Sequence, residues 1–334
     1  MHLSLDEVWS LGATALLAHG CDEANAAAVA TTMTFAERDL AASHGLFRLP
    51  GYVAALDSGK VDGTAQPRIS HPAPAVVRVD AQRGFAPLGL ERGRPHLVDT
   101  ARSQGVAVMA LVHTHHFAAL WPEVEALCAE GLVALACPAY TPMVAPAGAR
   151  QAFFGTNPLA FGYPRADEPP MVFDQASAAM ARGEIQIAAR DGHEVPEGTG
   201  LDAHGNPTTD PAAVLEGVQL PFGGYKGSAI ALMVELLAAG LIGDWFSYEA
   251  AQHDNHDGGP ARGGEFLLAI DPARTGADPS LAHSEAFFAA LLDLDGVRLP
   301  GDRRHQARLR TPIEGISIPA SLYDEIVALG GRRH

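Results

Sequence analysis

Ser43, His44 and Arg48 put a hydroxyl, an imidazole and a guanidinium within six residues, in the stretch Ser43-His44-Gly45-Leu46-Phe47-Arg48. This set can deliver a proton to a small substrate while gripping its carboxylate. The imidazole titrates near neutrality, the hydroxyl relays or orients, and the guanidinium binds a carboxylate through two parallel N–H bonds. The spacing predicts a helix C-terminus here, whose dipole favours imidazolium. On spacing alone, the stretch reads more readily as a helix end capped by Gly45, with its polar residues at the surface.

Other stretches carry chemistry of their own. Gly223-Gly224-Tyr225-Lys226-Gly227 precedes a strong helix pattern, so its free amides and lysine suit a phosphate or pyrophosphate, and a glycine turn with a solvated lysine suits them as well. His113, His115 and His116 follow an apolar strand pattern, with His113 and His115 expected on one face. No acidic or thiol ligand joins them at zinc-like spacing, and His253 and His256 in HDNHDG read more readily as a solvated polar loop, so no metal is expected. Gly155-Thr156-Asn157-Pro158 is a turn able to aim a hydroxyl. Asp174, ending an apolar run, either caps the next segment or binds a polar ligand group. Arg303 and Arg304 stand together beside a Pro-Gly turn, as a terminal phosphate or plain solvation would allow. Neither G-x-G-x-x-G nor G-x-x-x-x-G-K-[ST] occurs, which disfavours a Rossmann fingerprint and a P-loop.

The elements that must position these groups follow from periodicity. Ser4 and Glu7 predict a capping box and a helix to about residue 20. A second helix is expected over 22–42, and others over 50–56, 87–103, 121–129, 227–241 and 281–292. Strands are expected over 75–80, 106–112, 132–137, 171–174 and 265–271, with 153–164 and 258–264 as loop and a short strand and helix at the end. Alternation of strand and helix predicts an α/β fold covered on both faces.

The 334 residues carry a formal charge of −16, from 39 acidic and 23 basic residues. That balance argues against nucleic acid or an anionic membrane as the main partner. Hydrophobic residues make up 47%, enough for a substantial core. Cys21, Cys128 and Cys137 form no CxxC pair, as expected of reduced thiols. No signal peptide is expected, and the longest apolar run, 229–243, contains Glu235, so no membrane span is expected either. The expectation is a cytoplasmic protein.

Taken together, these pieces resemble the malate/L-lactate dehydrogenase-like oxidoreductases over nearly the whole chain. SHGLFRLPGY at 43–52, HHF at 115–117, GTNPLAFGYP at 155–164 and GGYKGSAIALMVELLAAGLIG at 223–243 carry the likeness. Within that family, HFAALWPEVE at 116–125, IQIAAR at 185–190, LPFGGYKGSA at 220–229 and RLPGDRR at 298–304 resemble the Δ1-piperideine-2-carboxylate/Δ1-pyrroline-2-carboxylate reductases.

The resemblance implies a non-Rossmann NAD(P)H-binding fold with a mixed sheet and a helical N-terminal segment. Its regions would be 1–70 (helical, substrate side), 71–225 (central, cofactor-binding) and 226–334 (completing the catalytic domain). It implies a homodimer that reduces a cyclic imine carboxylate to L-pipecolate or L-proline with NADPH, and less well with NADH. His44 would be the proton donor with Ser43 as relay and Glu184 as acidic relay, where relatives often carry Asp. Arg48, Thr156, Arg182 and Gly183 would bind substrate. His116, Phe117, Ala118, Ala119, Leu120, Asp174, Gln175, Ala176, Tyr225, Lys226 and Leu299-Pro300-Gly301-Asp302-Arg303-Arg304 would bind cofactor, the arginine pair selecting the 2′-phosphate. Either Glu184 or Asp174 would hold His44 in its working tautomer. The chain departs from the family at Gln175-Ala176-Ser177, where Ala-Thr-Ser is usual, and at Cys137-Pro138-Ala139-Tyr140, where Asn-Ser is common. Two other readings stay open. One is a 2-hydroxy-acid dehydrogenase of the malate, lactate or ureidoglycolate type. The other is a non-catalytic His-rich metal-binding protein.

Overall fold

Ser4 Oγ accepts the Glu7 amide at 3.2 Å and Glu7 Oε2 accepts the Ser4 amide at 2.7 Å, closing the expected box at the start of the first long helix. The computed structural model describes residues 1–331 except Phe117, Ala277 and Pro279. The cofactor expectation at Phe117 therefore lies outside the described residues.

The chain runs β1 (His2–Leu3), α1 (Leu5–Ala18), α2 (Glu23–Arg38), α3 (Leu49–Asp57), β2 (Arg68–Ala73), β3 (Val76–Asp80), α4 (Ala86–Gln104), β4 (Val106–His115) and α5 (Trp121–Cys128). It continues through β5 (Val133–Pro138), β6 (Leu159–Tyr163), β7 (Met171–Gln175), α6 (Arg182–Asp191), β8 (Gly200–Leu201), β9 (Pro207–Thr208), α7 (Pro211–Glu216) and β10 (Val218–Gln219). The last part comprises α8 (Tyr225–Glu235), a π-helical stretch Leu236–Leu241, α9 (Ser247–Gln252), β11 (Arg262–Ile270), α10 (Ala282–Leu292), α11 (Asp302–Glu314), β12 (Ile316–Ser317) and α12 (Ala320–Gly330).

Seven strands form one mixed sheet in the order β2-β3-β4-β11-β5-β6-β7, with only β3 and β4 parallel. This is the mixed α/β fold expected. β11 comes late in the chain yet lies at the centre, between β4 and β5. Leu267 and Ala269 on one of its faces join the core under α4 and α5, while Phe266 on the other packs against Ala238 and Ile242. A second core joins α1, α2, α3 and α12 through Leu16, Val29, Leu49 and Ile326.

Four expectations need correction. α2 stops at Arg38 rather than 42, because Leu40 takes a left-handed conformation at φ 59° and Asp39 turns its carboxylate inward. The 153–164 stretch contains β6; glycine there hides a strand, since a Cβ on Gly162 would sit 2.6 Å from Cys128 Sγ of α5. The 227–241 helix starts two residues early and becomes π-helical after Glu235. His113 and His115 do not share a face, because the register of β4 against β11 slips between Gly263 and Glu265. His113, at φ 55°, faces Asp80 at 2.9 Å, whereas His115 Nδ1 faces the Pro260 carbonyl at 3.0 Å.

Candidate active site

Beyond α2 the chain makes two 3₁₀ turns, Ala42–His44 and Leu46–Arg48, which lead into α3. Ser43 Oγ lies 3.0 Å from His44 Nδ1. Arg48 Nε donates to the Ser43 carbonyl at 2.7 Å, folding the guanidinium back over the same turn. The N-terminus of α6 closes the other side: a Cβ on Gly183 would stand 2.8 Å from Arg48 Nη2 and 2.9 Å from Ser43 Cβ. Only glycine lets α6 come this close.

His44 is thus not at the end of an α-helix, and the dipole argument fails. Burial, followed by the nearby charges of Arg48 and His116, pushes its imidazole down to about 3. The free protein holds neutral His44, with Nδ1 facing Ser43.

Neither expected acid pairs with His44. Asp174 Oδ2 accepts the Leu120 and Trp121 amides at 2.9 and 3.1 Å, so Asp174 does cap a segment, but it is the earlier one, α5. Glu184 is exposed in the first turn of α6, and its side chain makes no hydrogen bond among the described residues.

Arg182, in the same turn, donates to the Leu215 carbonyl at 3.4 Å and lies near Arg48 and Tyr140. Tyr140 was not singled out by residue chemistry. It follows β5, and burial raises its phenol above the usual range while Arg48 and Arg182 draw it down. A Cβ on Gly155 would meet the Tyr140 carbonyl at 2.8 Å, which brings Thr156 to the same corner. Asn157 behind it donates to Glu235 Oε1 at 2.8 Å, and Glu235 also takes the Ser247 amide at 2.9 Å. Glu235 reads in sequence as a stray charge in an apolar helix; folded, it anchors the Thr156 turn.

Segments expected to bind cofactor converge on the edge strand β7. Besides the α5 cap on Asp174, the Val172 carbonyl accepts Arg304 Nη2 at 2.7 Å and the Val172 amide donates to Pro300 at 3.4 Å. The Phe222 amide donates to Ser177 at 3.0 Å, bringing in the Gly-Gly-Tyr-Lys turn. Gly223 and Gly224 sit at φ 54° and 63°, and Tyr225 and Lys226 are exposed at the N-terminus of α8, which no side chain caps among the described residues. The arginine pair does not act as a unit, since successive helical residues point about 100° apart. Arg303 is exposed, whereas the Arg304 guanidinium lies 5.1 Å over the Trp121 ring. Arg304 Nε is buried without an acceptor among the described residues. The exposed Lys226 at the start of α8, the exposed Arg303 of α11 and the orphaned Arg304 Nε–H fit an anionic dinucleotide.

Asp39 ties these parts together from below. It accepts Trp121 Nε1 at 2.7 Å and Arg308 Nε at 2.8 Å, joining α2, α5 and α11.

The sequence pattern of the malate/L-lactate dehydrogenase family matches residues 3–327. The Δ1-pyrroline-2-carboxylate/Δ1-piperideine-2-carboxylate reductase of Pseudomonas aeruginosa is 49% identical over 332 residues, 98% of this chain and 99% of its own. A (2R)-3-sulfolactate dehydrogenase (NADP(+)) of Chromohalobacter salexigens is 42% identical over 98% of this chain and 97% of its own. The crystal structure of the Δ1-piperideine-2-carboxylate reductase of Pseudomonas syringae superposes with a TM-score of 0.93 at 44% identity, covering 98% of this chain and 99% of the other.

Proposed function

This chain belongs to the malate/L-lactate dehydrogenase family, and on that footing we propose that it reduces the C=N bond of Δ1-pyrroline-2-carboxylate and Δ1-piperideine-2-carboxylate. The observation that carries the reading is the pairing of Ser43–His44 with two guanidiniums, Arg48 and Arg182, at one corner. The nicotinamide cofactor supplies hydride to C2 when bound. Arg48, with Arg182 beside it, holds the carboxylate, and Thr156 faces the ring. His44 gives a proton to the nitrogen. Burial is the first cause that depresses His44 and the Arg48 charge the second; the substrate carboxylate offsets the second and itself attracts an imidazolium, so binding favours uptake of the proton. Ser43 Oγ orients Nδ1. Glu184, at the open face of α6, is the acid nearest in sequence to this corner, and its role as relay rests on resemblance alone.

NADPH is the proposed cofactor, with Arg303 on its 2′-phosphate. A second reading, a dehydrogenase of 2-hydroxy acids with a second anionic group, is favoured by the presence of Arg182 as a further cation. Steady-state kinetics with both imines, pyruvate, oxaloacetate and 3-sulfopyruvate, each with NADPH and NADH, separates the two. A kcat/KM for either imine below that for the oxo acids would displace the first reading. We further propose a cytoplasmic homodimer. Three free, buried cysteines support the compartment, and Leu309 and Ile313, 76% and 87% exposed on α11, support a covering partner.

A further inference from the structure

Glu123 and Glu265 have no part in the chemistry above, yet they meet under His116. Glu265 stands on central strand β11, opposite Leu111 and Pro138, with its side chain 0% exposed. Its face of the strand otherwise carries Leu267 and Ala269, so a hydrophobic residue would serve packing better. Glu123 comes from the first turn of α5. His116 Nε2 lies 3.1 Å from Glu123 Oε1 and 3.4 Å from Glu265 Oε2, and the three groups fall within 4.8 Å of one another. Neither Glu265 oxygen has a donor in hydrogen-bond geometry among the described residues. Two ionised carboxylates in such a place would repel each other at a cost of several kcal/mol. One proton shared between them removes that cost and leaves one acceptor for the imidazole N–H.

We propose that Glu265 and Glu123 are positioning residues for the cofactor: sharing a proton beneath His116 Nε2, they fix the imidazole beside the start of α5. The inference rests on the reading of His116 as a cofactor contact. The start of α5 is then held from two sides, by Asp174 on the Leu120 and Trp121 amides and by Glu123 against His116. The surroundings favour retention of the proton. Burial and Asp174 on β7 push Glu123 up to about 8, and burial with Glu123 raises Glu265 well above the carboxylate range. Cys137 of β5 lies on the opposite face of the sheet with Phe266, its thiol raised to about 12 by burial first and the Glu265 charge second. His44, on the first 3₁₀ turn, lies near His116 with its own imidazole pushed down chiefly by burial, and Arg304 of α11 lies near Asp174.

The test is NADPH binding, followed by cofactor fluorescence from about pH 6 to about pH 9.5, in wild type, Glu265→Gln and Glu265→Ala. Glutamine keeps the shape and hydrogen bonds but cannot ionise. Wild-type Kd should rise about tenfold on the alkaline side, and Glu265→Gln should stay flat and within about threefold of wild type at neutrality. Glu265→Ala should raise Kd about tenfold at neutrality, with kcat at saturating NADPH little changed. Equal alkaline slopes in wild type and Glu265→Gln would overturn the proposal. So would one equivalent of divalent metal in the wild-type protein that Glu265→Gln loses, which would make the trio a metal site. Should Glu265→Ala not fold, the Glu265→Gln slope decides alone. Binding is read without turnover, so protein that binds NADPH but reduces no imine fails the functional reading and leaves this one testable.

Discussion

Glu37 Oε1 accepts the Leu46 amide at 2.8 Å, a bond that ties α2 to the turn carrying Ser43, His44 and Arg48. The carboxyl is buried, and burial raises it to about 7 despite the amide. Between its ordinary value of 4.5 and about 7, the folded chain holds a proton that the unfolded chain has lost. Stability therefore falls as pH rises through that window and levels off above it. Glu37→Gln keeps the acceptor and removes the titration. Urea unfolding at about pH 5 and about pH 8 should show the variant gaining about 3 kcal/mol on wild type between the two. Gly45 lies so close that any Cβ would overlap the Glu37 side chain, so Gly45→Ala should cost activity and stability together.

His44→Ala should lower kcat about a thousandfold while NADPH binding stays within about twofold. Near-normal turnover in that variant would remove His44 from the chemistry. Ser43→Ala, which leaves Nδ1 without its 3.0 Å partner, should cost about tenfold.

Arg303 and Arg304, the adjacent arginines at the start of α11, should separate cleanly. Arg303→Ala should raise KM for NADPH about tenfold and leave NADH unchanged, as loss of a 2′-phosphate contact requires. Arg304→Ala should weaken both cofactors, because that side chain braces Val172 and Trp121. Equal losses for both cofactors in Arg303→Ala would refute its phosphate role.

Asp39 is the buried joint between α2, α5 and α11. Burial raises its carboxyl, but hydrogen bonds from Arg308 and Arg38 outweigh this and hold it below 3.8. Its contribution is complete above that value and is lost as pH falls through the folded one. Asp39→Ala removes the acceptor of Trp121 Nε1 and leaves Arg308 with Glu125 as its remaining acidic partner, and chemical denaturation should show a loss of about 3 kcal/mol.

Periodicity and capping made most helices and the main strands legible, since Ser4, Asp22 and the apolar runs act locally. β6 was hidden because Gly162 answers to Cys128 of α5, a contact that sequence neighbours do not show. The substrate corner was half legible. Ser43, His44 and Arg48 are contiguous, but Tyr140 and Gly183 reach them from distant segments. The charge state of His44 was misread because burial and Arg48, rather than a helix end, set it. Glu235, Glu265 and Asp39 look like misplaced charges until the fold supplies Asn157, His116 and Arg308.

Tyr140 bears on which substrate enters. It lies near Arg48 and Arg182 together, so on the proposed function it stands where a second anionic group would meet Arg182. A five- or six-membered ring with a single carboxylate needs only Arg48 and gains an apolar wall from the tyrosine. Tyr140→Ser frees both space and cation, so kcat/KM for oxaloacetate or 3-sulfopyruvate should rise about tenfold relative to the cyclic imines. Tyr140→Phe keeps the wall and should leave that ratio nearly unchanged. If the serine variant loses activity on every substrate alike, Tyr140 supports the fold of the corner and does not choose among substrates.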